Sequence, residues 1–415
     1  LNVLRYSRIE LIYQAVMYKE KLNCICCDSV NLIQVLDLKD QPLANSYHKI
    51  NETLDTFPLK LNLCNNCYHL QLSHIVNPDL LFKNYLYVSG TTKTLLEYFD
   101  WFASYVKEYS PKSESVLEIA CNDGSQLNSF KQLGYKTYGI DPAENLYSIS
   151  SKNHNIICDY FDKKHFDGRE FDIIVGQNVF AHNENAKKFL DDCYELMNEK
   201  SYLFIQTSQA EMIEHNQFDT IYHEHISFFN INSFNELVKR TKFYLIDVIK
   251  TPVHGTSYIF VLSKLDKRPE LVKNLIALEK SYGLLNNKIY QQYESNVNKI
   301  VSEFKKAVTF YRTNGYKIIG YGAAAKGNTF LNFADIKLDY IIDDNKLKQN
   351  LYTPGTDIQI VSIDILNTYK DFDKVLFIPL AWNFFDEIKS RILKVRNNPN
   401  DLYLKYFPSI LIEKN

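Results

Sequence analysis

Near the middle of the chain a phenol, two imidazoles and a carboxylate occupy four consecutive positions, within Phe218-Asp219-Thr220-Ile221-Tyr222-His223-Glu224-His225. Imidazole has the side-chain pKa nearest neutrality, so His223 or His225 can take up a proton and later release it. Tyr222 offers a hydroxyl donor to a developing oxyanion, and Glu224 can orient a ring or tune its basicity. In an extended segment His223 and His225 share one face, with Tyr222 and Glu224 on the other, so the two rings are not equivalent. A half-exposed polar strand and a metal site are the competing readings. The helical zinc motif needs histidines four apart with Glu beside the first, and this spacing fails it.

A second reactive group lies toward the amino terminus. Cys24-Ile25-Cys26-Cys27 and Cys64-Asn65-Asn66-Cys67 each contain a C-x-x-C pair. Two such knuckles present four thiolates (Cys24, Cys27, Cys64, Cys67) in the tetrahedral arrangement that Zn²⁺ prefers, as in a zinc ribbon. The interval between the pairs exceeds the roughly 15–20 residues of compact ribbons. No ligand position is left open for chemistry, so the expected site is structural. A redox pair is the alternative, and it leaves the second knuckle unexplained. Cys26 is either a spare ligand or an inert neighbour.

These groups need elements to hold them. Ser115-Val116-Leu117-Glu118-Ile119-Ala120 reads as a strand, running into the turn Cys121-Asn122-Asp123-Gly124-Ser125 and then a helix through Leu127, Phe130 and Leu133. A second strand, Lys136 to Ile140, ends in Asp141, where a carboxylate suits a ribose diol. The turn carries one glycine, not the G-x-G-x-x-G set a dinucleotide pyrophosphate wants. S-adenosylmethionine has no phosphate, and Glu118 with Asn122-Asp123-Gly124 fits it better. The strand Phe171 to Gln177 leads to Asn178 and His182 at the carboxyl edge where α/β ligands bind. His182 is a site residue there, or else a capping or core histidine. Beyond Pro269 one or two long helices are expected to Tyr311, with Ile289, Tyr293, Val297, Ile300, Phe304, Val308 and Tyr311 forming one apolar face. That face packs on the chain itself or on a coiled-coil partner. Gly320-Tyr321-Gly322 then opens a second strand–turn–helix unit, whose backbone amides and Lys326 can meet phosphate oxygens. The same unit can also be a degenerate repeat without a ligand.

Composition limits the class. A chain of 415 residues suggests two to four domains, and a net charge of −2 with no basic block points to neither nucleic acid nor a membrane surface. No apolar run approaches the ~20 residues of a spanning helix. The opening Leu1-Asn2-Val3-Leu4-Arg5-Tyr6 lacks the order of an export signal. Eight cysteines in this length make no disulfide scaffold, so a reducing cytoplasm is expected. The chain is expected, separately, to be a monomer.

Taken in order, the motifs resemble the three-domain, S-adenosylmethionine-dependent C-methyltransferases that act on nucleotide-linked 4-keto-deoxysugars. The matching runs are Cys24-x-x-Cys27, Gln41-Pro42-Leu43-Ala44-Asn45-Ser46, Phe57-Pro58-Leu59, Cys64-x-x-Cys67, Tyr85-x-Tyr87-x-Ser89-Gly90, Asn122-Asp123-Gly124 and Phe218 to His225. They continue through Gly320 to Thr329, Asp343-Asp344-Asn345, Tyr352 to Thr356 and Trp382-Asn383. The resemblance implies an α/β chain with a zinc-binding domain (20–84), a doubly wound methyltransferase domain (85–255), a helical connection (256–312) and a Rossmann-like carboxyl-terminal domain (313–415). It implies methylation at a carbon, C3, beside a C4 ketone. His225 is the implied base, with Tyr222, Glu224 and His182 placing the sugar or stabilising the enolate. The implied cofactor contacts are Glu118, Asn122, Asp123, Gly124, Asp141, Gln177 and Tyr87; the implied substrate contacts are Asn178, Tyr321, Lys326 and Asn328. One run departs from the pattern: after His254-Gly255, where Gly-Ser and a basic residue are usual, the chain has Thr256-Ser257-Tyr258-Ile259. The other readings are a sugar O- or N-methyltransferase, or a non-catalytic nucleotide-sugar binding protein of the same fold.

Overall fold

Five strands open the described chain, which in this computed structural model comprises residues 17–83, 88–208, 211–370 and 372–415. They are β1 (Tyr18–Glu20), β2 (Leu32–Pro42), β3 (Thr56–Cys64), β4 (Leu70–Leu72) and β5 (His74–Val76). In β3 the residues Phe57, Leu59, Leu61 and Leu63 are buried, the period-two pattern of a strand with one face on a core. Tyr87, expected at the cofactor, lies outside the described residues.

The chain forms two compact units, each assembled from separate stretches. The first takes Leu1–Ile33, Asn62–Ala210 and Glu224–Asn287; the second takes Gln34–Leu61, Glu211–His223 and Lys288–Asn415. Consecutive domains were expected, so this interleaving is a difference from the sequence reading. The chain passes between units inside β2, inside β3 and between His223 and Glu224.

The first unit carries a sheet of β6 (Ser115–Ile119), β7 (Lys136–Ile140), β8 (Asn155–Ile157), β9 (Ile173–Gln177), β10 (Tyr202–Ser208), β12 (Tyr244–Thr251) and β13 (Ser257–Ser263), while β11 (Ser227–Phe228) pairs with β4. The sheet order is β12-β13-β10-β9-β6-β7-β8. β13 runs antiparallel to both of its neighbours. It therefore extends the sheet beyond residue 255, where the domain edge was expected, because Tyr258 to Leu262 are needed to cover β10. On one face the helix Lys93–Tyr109 buries Leu95, Phe99, Phe102 and Val106, spaced three and four apart. Each contributes roughly 1.5–3 kcal/mol as an upper bound. The strand order reverses between β6 and β9, and an open α/β sheet holds its ligand at the carboxyl edge of such a point.

The second unit repeats the plan with β14 (Tyr316–Tyr321), β15 (Tyr340–Ile342), β16 (Ile360–Val361), β17 (Lys374–Pro379), β18 (Leu402–Lys405) and β19 (Leu411–Lys414), ordered β16-β15-β14-β17-β18-β19. Its reversal falls between β14 and β17. The long helix Asn287–Thr313 buries Tyr293, Val297, Ile300, Phe304 and Val308 of the expected stripe, while Ile289 and Tyr311 at its ends are only half-buried. Phe304 meets Phe330 edge-on at 4.7 Å, so within its unit the stripe packs on the chain itself. No helix among the described residues is long and apolar enough to cross a membrane.

Candidate active site

The strand β6 ends in a turn that the rest of the first site is arranged around. Gly124 takes φ +80°, and a Cβ there would meet the His154 ring at 3.0 Å, so glycine is required on both counts. Ala120 and Asn122 also adopt positive φ, +60° and +50°, a local strain that clusters at ligand sites. The Asn122 side chain accepts from the Ser89 amide at 2.9 Å, and Asp123 accepts from Gly90 at 3.0 Å. Two separate sequence motifs are thereby joined. Asp141, one residue past β7, accepts the backbone N–H groups of Asn122 and Ala143, each at 2.8 Å.

Glu118 is buried, and burial together with the charges of Asp123 and Asp141 raises its pKa well above the ordinary carboxyl value. Among the described residues nothing donates to its Oε2. S-adenosylmethionine carries a sulfonium and an ammonium against one carboxylate, so an acid cluster with an unused oxygen fits its excess of positive charge. From β9, Gln177 Nε2 donates to Gln126 at 3.0 Å, and Asn178 at φ +56° donates its amide to Gln206.

Beyond Asn178 the turn Phe180–His182 brings His182 beside His225, their ring centroids 5.2 Å apart. Phe82 also stacks on His182, at 5.5 Å between ring centroids. Burial pushes the His182 pKa down to about 4, so this ring is neutral at pH 7. Its Nε2 is enclosed, without a hydrogen-bond partner among the described residues. The residue after His225 is clamped from two sides: Ile226 N donates to Ala181 at 2.8 Å, and its carbonyl accepts from Leu72 at 2.9 Å.

The expectation that His223 and His225 share one face of an extended segment fails. Residues 222–224 form a bend and turn, and the rings point to different surroundings. His223 is buried with Nε2 3.2 Å from the Phe57 carbonyl and its ring edge-on to Phe57. Glu224 is buried and Tyr222 is half-buried. His223, Glu224 and His225 are all buried, and the turn gives the two rings separate surroundings in place of one shared strand face.

The cysteines converge as expected. Sγ atoms of Cys24 and Cys67 lie 3.5 Å apart and those of Cys27 and Cys64 3.6 Å, with all four within 4.8 Å of one another. Tetrahedral Zn²⁺ at about 2.3 Å per sulfur spaces its ligands about 3.8 Å apart, so the quartet fits the ion. Both knuckles turn alike: Asp28 N donates to Cys24 O and Tyr68 N to Cys64 O, at 3.0 and 2.9 Å. Cys26 stands outside the quartet.

In the second unit Tyr321 donates its hydroxyl to Asp344 at 3.0 Å, and buried Asn328 donates to the Ala44 carbonyl at 2.8 Å. Lys326 is half-buried, 5.3 Å from the centre of the Trp382 ring. At Thr256, in the run that departs from the family pattern, φ is +90°. A β-branched residue pays strain there that glycine avoids.

Sequence reading passed over a polar layer at the ends of β9 and β10. Tyr98 donates to Gln206 Oε1 at 2.5 Å, while Gln206 Nε2 and Thr207 Oγ1 are enclosed and unpartnered among the described residues. The usable signal was Gln206-Thr207-Ser208 closing a strand otherwise made of Leu203, Phe204 and Ile205.

Three family models match the chain in succession: a zinc binding domain over residues 24–82, a methyltransferase domain over 93–248 and a C-methyltransferase C-terminal domain over 252–404. The C-methyltransferase NovU of Streptomyces niveus is 26% identical over 389 residues, covering 88% of this chain and 90% of that protein. This chain is an S-adenosylmethionine-dependent C-methyltransferase related to that protein. The C-methyltransferase also matches the ubiquinone biosynthesis O-methyltransferase of Glaesserella parasuis, at 32% identity over 106 residues, 23% of this chain and 45% of that one. Among solved structures, the plantazolicin methyltransferase BpumL with S-adenosylhomocysteine overlaps 42% of this chain and 87% of its own, at 18% identity and a TM-score of 0.35. The enzyme uses S-adenosylmethionine and zinc, and its four paired cysteines are placed so that they could hold the metal.

Proposed function

We propose that the enzyme methylates C3 of a nucleotide-linked 4-keto-deoxysugar, with His225 as the base. The observation that carries this reading is the His182–His225 ring pair, which the Ile226–Ala181 backbone bond holds just past β9. A C4 ketone acidifies the neighbouring C–H bond, so a neutral imidazole can remove that proton. The electron pair then spreads onto the ketone oxygen as an enolate, and C3 takes the methyl group. When bound, S-adenosylmethionine supplies that methyl on a sulfonium, in the pocket of Glu118, Asn122, Asp123, Gly124, Asp141 and Gln177. Alignment of the reacting atoms at roughly 3–3.5 Å carries much of the rate. Neutral His182 is a hydrogen-bond donor to the enolate oxygen. Glu224 orients the base. Asn178 meets the sugar.

A panel of nucleotide 4-keto-sugars with S-adenosylmethionine, read by mass and then NMR, identifies the product. His225→Asn keeps bulk and a hydrogen-bonding group but cannot accept the proton at neutral pH. Turnover should fall on the order of 10²–10⁴ with both ligands still bound. Methylation by His225→Asn at the wild-type rate excludes this base, and a methylated oxygen or nitrogen in the product excludes the carbon reading.

A further inference from the structure

A line of neutral side chains runs through the first unit around the ends of β9 and β10, and the methyl-transfer step leaves it without a task. It starts in the helix Lys93–Tyr109, where Tyr98 donates its hydroxyl to Gln206 Oε1 at 2.5 Å. Burial raises the Tyr98 pKa, so the phenol keeps the proton it donates. Gln206 is the register partner of Gln177 in the neighbouring strand. Gln177 Nε2 donates to Gln126 at 3.0 Å, in the first turn of the helix Ser125–Gln132 that follows the cofactor turn. Gln126 Nε2 donates in turn to the Phe99 carbonyl at 3.2 Å, back in the helix where the line began. One phenol and two amides therefore donate in the same direction along a circuit that ties both helices to both strands.

One donor of the circuit is unused. Gln206 is buried, and its Nε2 is enclosed without a partner among the described residues. Leaving a buried amide unpaired is costly, so cores seldom keep one that has no use. Alternation along the strands gives its surroundings. Glu118 pairs with Val175, two residues before Gln177, so Glu118, Gln177 and Gln206 share one face of the sheet. The main chain of Gln206 serves the same strand end, because its carbonyl accepts the Asn178 amide at 3.0 Å while Asn178 sits at φ +56°.

We propose that Gln206, aimed by the Tyr98 hydroxyl, is a positioning residue for S-adenosylmethionine, holding the Gln177–Asn178 strand end so that Gln177 meets the cofactor. This rests on the placement of Gln177 at the cofactor proposed above. Gln206 acts through Gln177: its carbonyl fixes the backbone one residue on, and its unused amide donor faces the side of the sheet that Gln177 occupies.

The probe is S-adenosylmethionine itself, titrated calorimetrically into the full chain, so no acceptor need be known. Gln206→Leu keeps most of the volume and removes both hydrogen-bonding groups. It should bind the cofactor roughly tenfold more weakly, as should Gln177→Ala. The double variant should bind no more weakly than Gln177→Ala alone, because a residue that acts through another then has nothing left to place. A general loosening of the fold would instead add its loss to that of Gln177→Ala. Gln206→Glu keeps an acceptor for Tyr98 and loses the amide donor. Its affinity relative to the unaltered protein should rise as pH falls, since a protonated carboxyl donates again. Tyr98→Phe removes one hydroxyl and keeps the ring, so it carries the test if the buried Gln206 variants fail to fold; its several-fold loss should likewise vanish in the Gln177→Ala background. Additive losses, or wild-type affinity in Gln206→Leu and Tyr98→Phe, overturn the positioning role, and a loss in Gln177→Ala alone then leaves Gln177 at the cofactor. Wild-type affinity in Gln177→Ala removes that placement and this inference with it.

Discussion

In the proposed reading, Asp141 serves two tasks with one side chain. Its oxygens hold the turn through the Asn122 and Ala143 amides and keep lone pairs for a ribose diol. Asp141→Ala should therefore weaken S-adenosylmethionine by roughly 1.5–3 kcal/mol, the value of hydrogen bonds to a charged group. Unchanged S-adenosylmethionine affinity by calorimetry would remove Asp141 from the cofactor site. His182 makes a pH prediction with a definite sign. Its folded pKa is about 4 against 6.5 for the free side chain, so between those values the unfolded chain takes a proton that the native state refuses. Its contribution to stability is full above the higher value and is lost as pH falls through the window. His182→Asn should flatten the denaturant-measured loss of stability between pH 6.5 and 4. An unchanged acid limb would show that the ring is not held neutral.

Between elements, the zinc knuckles and the candidate base are wired together through one glutamine. Gln71 lies in β4, where it is the register partner of Ser227 in β11, two residues past His225. Its side chain accepts from Ile25 N at 2.8 Å and donates to Asn23 O at 3.1 Å, both next to the first knuckle. A metal site that only stapled the amino terminus would be silent in catalysis. This connection makes it a support for β11. Gln71→Ala should lower kcat several-fold, with zinc content and S-adenosylmethionine affinity retained, since losing a buried hydrogen-bonding group costs about 1–3 kcal/mol of local order. Removing zinc by chelation should lower kcat further and lower the melting temperature. Full turnover after chelation would confine the metal to a structural role remote from His225.

Across the whole molecule, the proposed cofactor and base residues Glu118, Asp141, His182 and His225 all lie in the first of the two compact units. A ligand stabilises the unit that binds it, by about 2.7 kcal/mol at a hundred times its dissociation constant. S-adenosylmethionine should accordingly slow amide exchange in Asn62–Ala210 and Glu224–Asn287 more than in Lys288–Asn415. Equal slowing in all three stretches would mean that the units open as one cooperative body.

The sequence alone determined whatever depends on short spacing. Strands and helices followed from period, the knuckles from C-x-x-C, and the cofactor turn from one glycine between a buried strand and a helix. The same local patterns also pointed to the acid at the end of β7. Tertiary structure alone decided which of two nearly adjacent histidines meets His182, because that depends on where the chain crosses between units. His223 turns to the Phe57 carbonyl and His225 to a ring 43 positions earlier, and no local pattern carries either partner. The same holds for Asp219, Lys326 and Trp382, spread over more than 160 residues and joined by one indole hydrogen bond across |i−j| of 163. Periodicity reports which face of an element is apolar. It cannot report which distant polar group that face will carry into contact, and in this enzyme those distant contacts place the candidate base and the lysine–tryptophan pair.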